Sequence, residues 1–206
     1  MSNDGGREIP AGDFSTWLVD TREVLAAGGA ADVPCGECTA CCRSSYFIHV
    51  EPDESAALAA IPEELLFPAP GRPDGHRVLG FDEDGCCPML VEDRCSIYAD
   101  RPRTCRSFDC RLFAAADVTA VASDKAPVAE RAARWRFSYP AAQDGAEHAA
   151  VKSAAGFLRE HPDHYAGKGV DNPSRLALLA IKAYEAFMEP GVEATALRKA
   201  VEKYIS

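Results

Sequence analysis

The reading of this chain turns on one run, Cys35-Gly36-Glu37-Cys38-Thr39-Ala40-Cys41-Cys42-Arg43. Five more cysteines follow, in Cys86-Cys87-Pro88 and at Cys95, Cys105 and Cys110, and none of the 9 lies outside that window. Such crowding exceeds what core packing asks of cysteine and reads as a site that holds something through sulfur. The count is odd, and the N-terminus, Met1 to Glu8, is polar and has no apolar stretch. The expected compartment is therefore the cytoplasm, where thiols stay reduced, so disulfides are a poor account of the pattern.

Outward from the run the sequence is irregular. It predicts short strands at Tyr46–Val50 and Arg77–Phe81, a helix over Pro52–Ala60 and a Pro- and Gly-dense loop over 62–75. An acidic turn follows at Asp82-Glu83-Asp84-Gly85. Two further strands, Met89–Val91 and Ser96–Tyr98, flank a turn at Glu92-Asp93-Arg94. Before the run, Phe14–Ala27 reads as a helix ended by Gly28-Gly29. After residue 113 the chain is Ala-rich, with helices expected at about 124–136, 144–160, 173–188 and 191–204. Asn172-Pro173-Ser174 is a helix start, and Glu189-Pro190-Gly191 is a break. The predicted class is α+β: a small irregular cysteine-rich domain with short hairpins, then a mainly helical C-terminal part. The expected divisions are an arm and helix over 1–33, the cysteine domain over 34–113 and the helical region over 114–206.

At 206 residues, 47% apolar and 26% charged, the chain has ordinary globular composition. Its net charge is −10, and residues 35–110 carry 14 acidic against 7 basic side chains. Phosphate backbones need the opposite sign, so no nucleic-acid partner is expected. No apolar stretch approaches the ~20 residues of a membrane span, so no membrane partner is expected either.

Cys35, Cys38 and Cys41 stand at i, i+3 and i+6. Three cysteines so spaced wrap one side of a compact centre, as in ferredoxin-type clusters, which add a cysteine that precedes proline. Cys87-Pro88 supplies that residue at a distance. A [4Fe–4S] cluster on Cys35, Cys38, Cys41 and Cys87 is one reading. Zinc is the other: Cys35 and Cys38 form a close pair, although the downstream cysteines do not form a second one. In the doublets Cys41-Cys42 and Cys86-Cys87 neighbouring side chains diverge, so each can serve a different centre or pack.

Arg94, Arg101, Arg103, Arg106 and Arg111 gather beside the last cysteines. Guanidinium groups would offset the negative charge of a thiolate-bound metal, a role assigned to Arg101 and Arg106. Arg103 and Arg111 read instead as surface partners of nearby aspartates. Pro102 is expected to set a turn that aims Cys105, and Tyr98 to pack within a strand. His49 reads as a satisfied core histidine, and His161-Pro162-Asp163-His164 as a helix end. Gly167-Lys168-Gly169 matches no phosphate-binding loop.

In combination, Cys35-x2-Cys38-x2-Cys41-Cys42-Arg43, Cys87-Pro88-x-Leu90, Cys95-Ser96-Ile97-Tyr98, Arg101-Pro102, Cys105-Arg106 and Phe108 resemble the YkgJ-type cysteine-cluster family, also called CxxCxxCC, over about residues 34–113. The resemblance implies zinc or iron binding and no particular reaction. Cys86 and Cys110 are additional to its pattern.

The first reading is thus a metal-binding protein. Cys35, Cys38, Cys41, Cys42, Cys87, Cys95 and Cys105 hold one centre or two, an iron–sulfur cluster standing ahead of zinc. The alternatives are an enzyme whose metal keeps an open ligand position, with no catalytic residue identified, and a structural zinc module that docks a protein partner through its C-terminal helices.

Overall fold

The computed structural model describes residues 7–27, 29–31, 33, 37–118, 123–189 and 191–204. In chain order its elements are β1 (Ile9–Asp13), α1 (Phe14–Ala27), β2 (Ile48–Val50), α2 (Ser55–Ala60), β3 (Leu66–Pro68), β4 (Arg77–Leu79), β5 (Leu90–Val91) and β6 (Arg94–Cys95). There follow α3 (Arg103–Ser107), α4 (Arg111–Ala115), α5 (Ala126–Ala132), β7 (Trp135–Ser138), α6 (Ala142–Glu160), α7 (Pro173–Ala183) and α8 (Ala194–Glu202). The class is α+β, with short sheets and a helical C-terminal part. No described helix is long and apolar enough to cross a membrane. The chain forms two compact units. A helical unit comprises Met1–Glu23, Cys110–Ala120 and Ala129–Ser206; a cysteine unit comprises Val24–Asp109 and Val121–Val128.

In the helical unit β1 and β7 pair in parallel. β7 alternates in burial: Trp135 and Phe137 turn inward, Arg136 and Ser138 outward. Phe14, Trp17 and Leu18 sit at helical spacing on α1 and are buried. The ring of Phe14 meets that of Phe137 edge-on at 5.0 Å. Asp144, in the first turn of α6, accepts the Ser15 N–H at 2.8 Å through one oxygen. Its other oxygen accepts the Ala141 N–H at 2.8 Å. One carboxylate thus satisfies otherwise orphaned amides at the starts of α1 and α6, and those bonds hold it below the usual carboxylate range. The Asn172 side chain caps α7 by accepting the Arg175 N–H at 3.0 Å. α7 then buries Leu176, Leu179 and Ile181, and its principal neighbour is α6.

Several expectations shift. The helix expected over 124–136 stops at Ala132, and Trp135 to Ser138 form β7 instead. β1 lies in the expected N-terminal arm. Pairing explains both: two short segments, one containing Pro and Gly, become strands only by bonding each other and burying Trp135 and Phe137. Arg111 is buried rather than a surface partner, and donates to the Ala11 carbonyl at 3.1 Å. Gly28, half of the expected helix stop, lies outside the described residues.

In the cysteine unit three strands form an antiparallel sheet in the order β2-β4-β3. The expected loop over 62–75 therefore contains a strand, Leu66–Pro68. It tolerates Pro68 because it lies at the sheet edge. Val50, Ala57, Ile61, Leu79 and Met89 form the core under this sheet, with Cys87 and Ile97 packed against it.

Candidate metal centre

The elements that carry the thiols are short and fixed by local bonds. Cys41, Cys42 and Arg43 form one 3-10 turn. Just after it, Ser44 is fully buried; its hydroxyl donates to Ala40 O at 2.7 Å and accepts the Val128 N–H at 3.1 Å. Ser45 lies in the left-handed region at φ 47°. Its N–H reaches the Gly85 carbonyl at 2.9 Å. Gly85 stands at φ 75°, a left-handed conformation that favours glycine, and a Cβ there would press on Ser45 Oγ at 2.4 Å.

The acidic turn has a defined task. Asp82 Oδ1 accepts the N–H groups of Asp84 and Cys86 at 3.0 and 2.8 Å. Asp82 N–H bonds the Cys86 carbonyl at 2.8 Å. Cys87 N–H then donates to the Cys42 carbonyl at 2.7 Å, which sets the two doublets side by side.

From Cys87 the chain enters the β5–β6 hairpin, where Leu90 faces Cys95. The turn is two residues, Glu92 and Asp93, both at positive φ (47° and 60°). A turn this tight advances the second strand to Arg94–Cys95, ahead of the expected Ser96–Tyr98. Tyr98 accordingly leaves the sheet, 58% exposed, with the Arg101 guanidinium 4.0 Å from its ring centroid.

Cys105 rides on α3, which Pro102 precedes. Glu54 anchors that helix. Its carboxylate is buried and accepts the N–H groups of Arg103 and, at 2.8 Å, Glu51. Arg103 pairs with Glu51 and Asp53, and Thr104 Oγ1 donates to the His49 carbonyl at 2.7 Å. Arg106 lies 3.8 Å from Glu54. His49 is half-buried and is satisfied by a partner the sequence did not reveal: its Nε2 lies 2.9 Å from Nδ1 of His76.

These segments bring thiols together from four places in the sequence. Burial pushes the Cys42 thiol up to about 11, and the neighbouring thiols of Cys87, Cys95 and Cys38 add to the shift. Burial likewise raises Cys87, with Cys95 and Cys86 contributing. Cys105 is pushed up to about 12 by the protein packed around it and by Cys87, Cys42 and Cys95. Its residue surface is open to solvent, which moderates that push. Two guanidinium groups act the other way: Arg43 favours the Cys42 thiolate and Arg101 that of Cys105. Arg43 also pairs with Asp93 and points a nitrogen at Cys86 Sγ, 3.8 Å away.

Cys42, Cys87, Cys95 and Cys105 thus lie close enough for each to influence the ionisation of the others, as Cys38 does that of Cys42 and Cys86 that of Cys87. Cys41 is half-buried in the same turn. Cys35 lies outside the described residues. Cys110 belongs to the helical unit, buried, its sulfur 3.1 Å from the Trp135 indole N–H. Among the described residues, no three His, Cys, Asp or Glu side chains form a group placed to hold a metal ion. The donor set nevertheless suits a soft or borderline cation: sulfur predominates, and guanidinium groups stand close enough to offset thiolate charge.

Residues 34–126 match the family model CxxCxxCC, described as "Putative zinc- or iron-chelating domain". The chain is similar to the CxxCxxCC family over this segment. No curated protein and no solved structure matches the chain. The CxxCxxCC segment contains every cysteine of the sequence, and its described part includes the hairpin and turns that set their spacing.

Proposed function

We propose that the cysteine unit binds iron or zinc through Cys38, Cys42, Cys87, Cys95 and Cys105, together with Cys35 and Cys41 of the opening run. The reading rests on one observation: thiols from four separate segments lie close enough to raise one another's cost of ionisation. A chain that gathers thiols in this way leaves them poor thiolates until a cation joins them. When bound, an iron–sulfur cluster would supply one-electron chemistry and zinc would supply a structural brace. We put the cluster ahead, because the Cys35, Cys38, Cys41 spacing and a remote Cys87-Pro88 match its ligand pattern. Arg43 and Arg101 would stabilise the charge on such a group, and the cytoplasm would keep the thiols reduced.

The test is anaerobic purification followed by an absorption spectrum and assays of iron, sulfide and zinc per chain. A broad band near about 400 nm with matching iron and sulfide is expected. A colourless protein with stoichiometric zinc, and no cluster on reconstitution with iron and sulfide, replaces the cluster with a zinc site. Binding of neither metal overturns the proposal.

A further inference from the structure

The cysteine unit holds an open cavity whose lining contains no thiol. It measures about 390 Å³ and is lined by Pro52, Leu58, Glu63, Leu66, Gly75 and Arg77. Leu58 and Leu66 pack against the small core, so part of the lining is apolar. Gly75, at φ 91°, closes another part: a Cβ there would stand 3.3 Å from Pro52 Cβ.

Arg77 is half-buried, yet its guanidinium has no hydrogen bond or ion pair among the described residues. The other half-buried arginines of the unit are all engaged: Arg101 on the Tyr98 carbonyl, Arg103 on Glu51 and Asp53, Arg106 near Glu54. Glu63 lines the same cavity, exposed and likewise without a partner among the described residues. A half-buried guanidinium can take a carboxylate in fork geometry, and among the described residues none lies within hydrogen-bond or ion-pair reach of it.

We propose that this cavity binds a small zwitterion with an apolar tail, an aliphatic α-amino acid. Its carboxylate meets Arg77, its ammonium meets Glu63, and its side chain lies on Leu58 and Leu66. A simple anion would answer Arg77 but face Glu63, and a simple cation the reverse. Only a ligand carrying both charges beside an apolar group uses the whole lining. The volume is at the low end of small-molecule sites and suits one amino acid rather than a polymer.

The test uses the full, metal-loaded chain and L-leucine as probe, read by calorimetry and by amide NMR shifts. A Kd on the order of 1 mM is expected, with shifts at residues 63, 66, 75 and 77. Wild-type protein should bind 4-methylpentanoate, which lacks the ammonium, and isopentylamine, which lacks the carboxylate, at least about tenfold more weakly. Arg77→Ala should abolish leucine binding. Glu63→Gln should lower leucine affinity to that for 4-methylpentanoate. Should Arg77→Ala not fold, Glu63→Gln decides, because that side chain is exposed. Melting curves and metal content, measured alongside, separate a folding defect or a failed metal site from a failed cavity. The proposal is overturned by no leucine binding at about 10 mM, by shifts confined to other residues, or by equal leucine affinity in wild type and Glu63→Gln.

Discussion

In the helical unit Phe14, Trp135, Val151, Leu158, Leu179 and Ile181 are almost fully sealed from water. In the cysteine unit the corresponding cluster is Val50, Ala57, Ile61, Leu79 and Met89, under strands of three residues. The first unit stands on large side chains that interlock, while the second stands on turns, single hydrogen bonds and neighbouring thiols. Apolar burial strengthens with area, so a few medium-sized side chains leave little margin over chain entropy. The contrast teaches that the cysteine unit depends more on turns and single hydrogen bonds than on apolar burial.

The largest effect should come from stripping the metal. Structural thiolate sites contribute on the order of 10 kcal/mol of binding free energy to folding. Chelation is expected to unfold the cysteine unit, with loss of hydrogen-exchange protection at residues 77–79 and 103–107, while α6 and α7 stay protected. Uniform loss across both units would break the comparison, and retained protection in both would deny the metal its structural part.

The converse test is Phe14→Ala. Removing this fully buried ring should cost about 3–5 kcal/mol in denaturant unfolding of the helical unit. Metal content per folded chain should not change. A fall in metal content would mean the two units do not stand on separate supports.

A third test is acid. His148 is buried in the helical unit, and its Nδ1 lies 2.6 Å from the Tyr139 hydroxyl. Burial, helped by Lys152, lowers it from an ordinary 6.5 to about 4. The unfolded chain therefore binds this proton more readily than the folded one, so stability is full above pH ~6.5 and falls as the pH drops toward about 4. The loss attributable to His148 should reach about 2–3 kcal/mol. His148→Gln should remove that part of the slope in denaturation midpoints measured between pH 7.5 and 4.5. An unchanged slope would place the acid sensitivity elsewhere.

The smallest effect is expected at Asn172, whose side chain caps α7. Asn172→Ala should cost about 1 kcal/mol, visible only in the melting of the helical unit.

Much of this was legible locally. α1 begins where the Phe14, Trp17, Leu18 spacing places it, and Asn172 caps as its position before Pro173 predicts. Local chemistry also gave the turn at Asp82, since an aspartate two and four residues before free amides can satisfy both. What escaped depends on distant partners. β1 and β7 have no strand signal apart from each other, and β3 carries a proline that only an edge position excuses. Glu54 looks in sequence like one acid among many; its burial and its bond to the Arg103 amide come from folding. At the candidate site the cysteines announced themselves by spacing. Which of them are neighbours did not, because that follows from the Cys87–Cys42 backbone bond and the tight turn at Glu92-Asp93.

The parallel pairing of β1 with β7 also dictates an order of events during synthesis. Ile9 to Asp13 leave the ribosome early, but their partner strand ends only at Ser138. Until then, Phe14, Trp17 and Leu18 lack the strand and the helices that enclose them. At about 5–20 residues per second that wait lasts several seconds. All the segments of the cysteine unit have emerged by Val128, so it can take up its ligand while the N-terminal apolar face is still waiting for cover. During that wait the residues at risk of aggregation are those of α1 rather than the thiols.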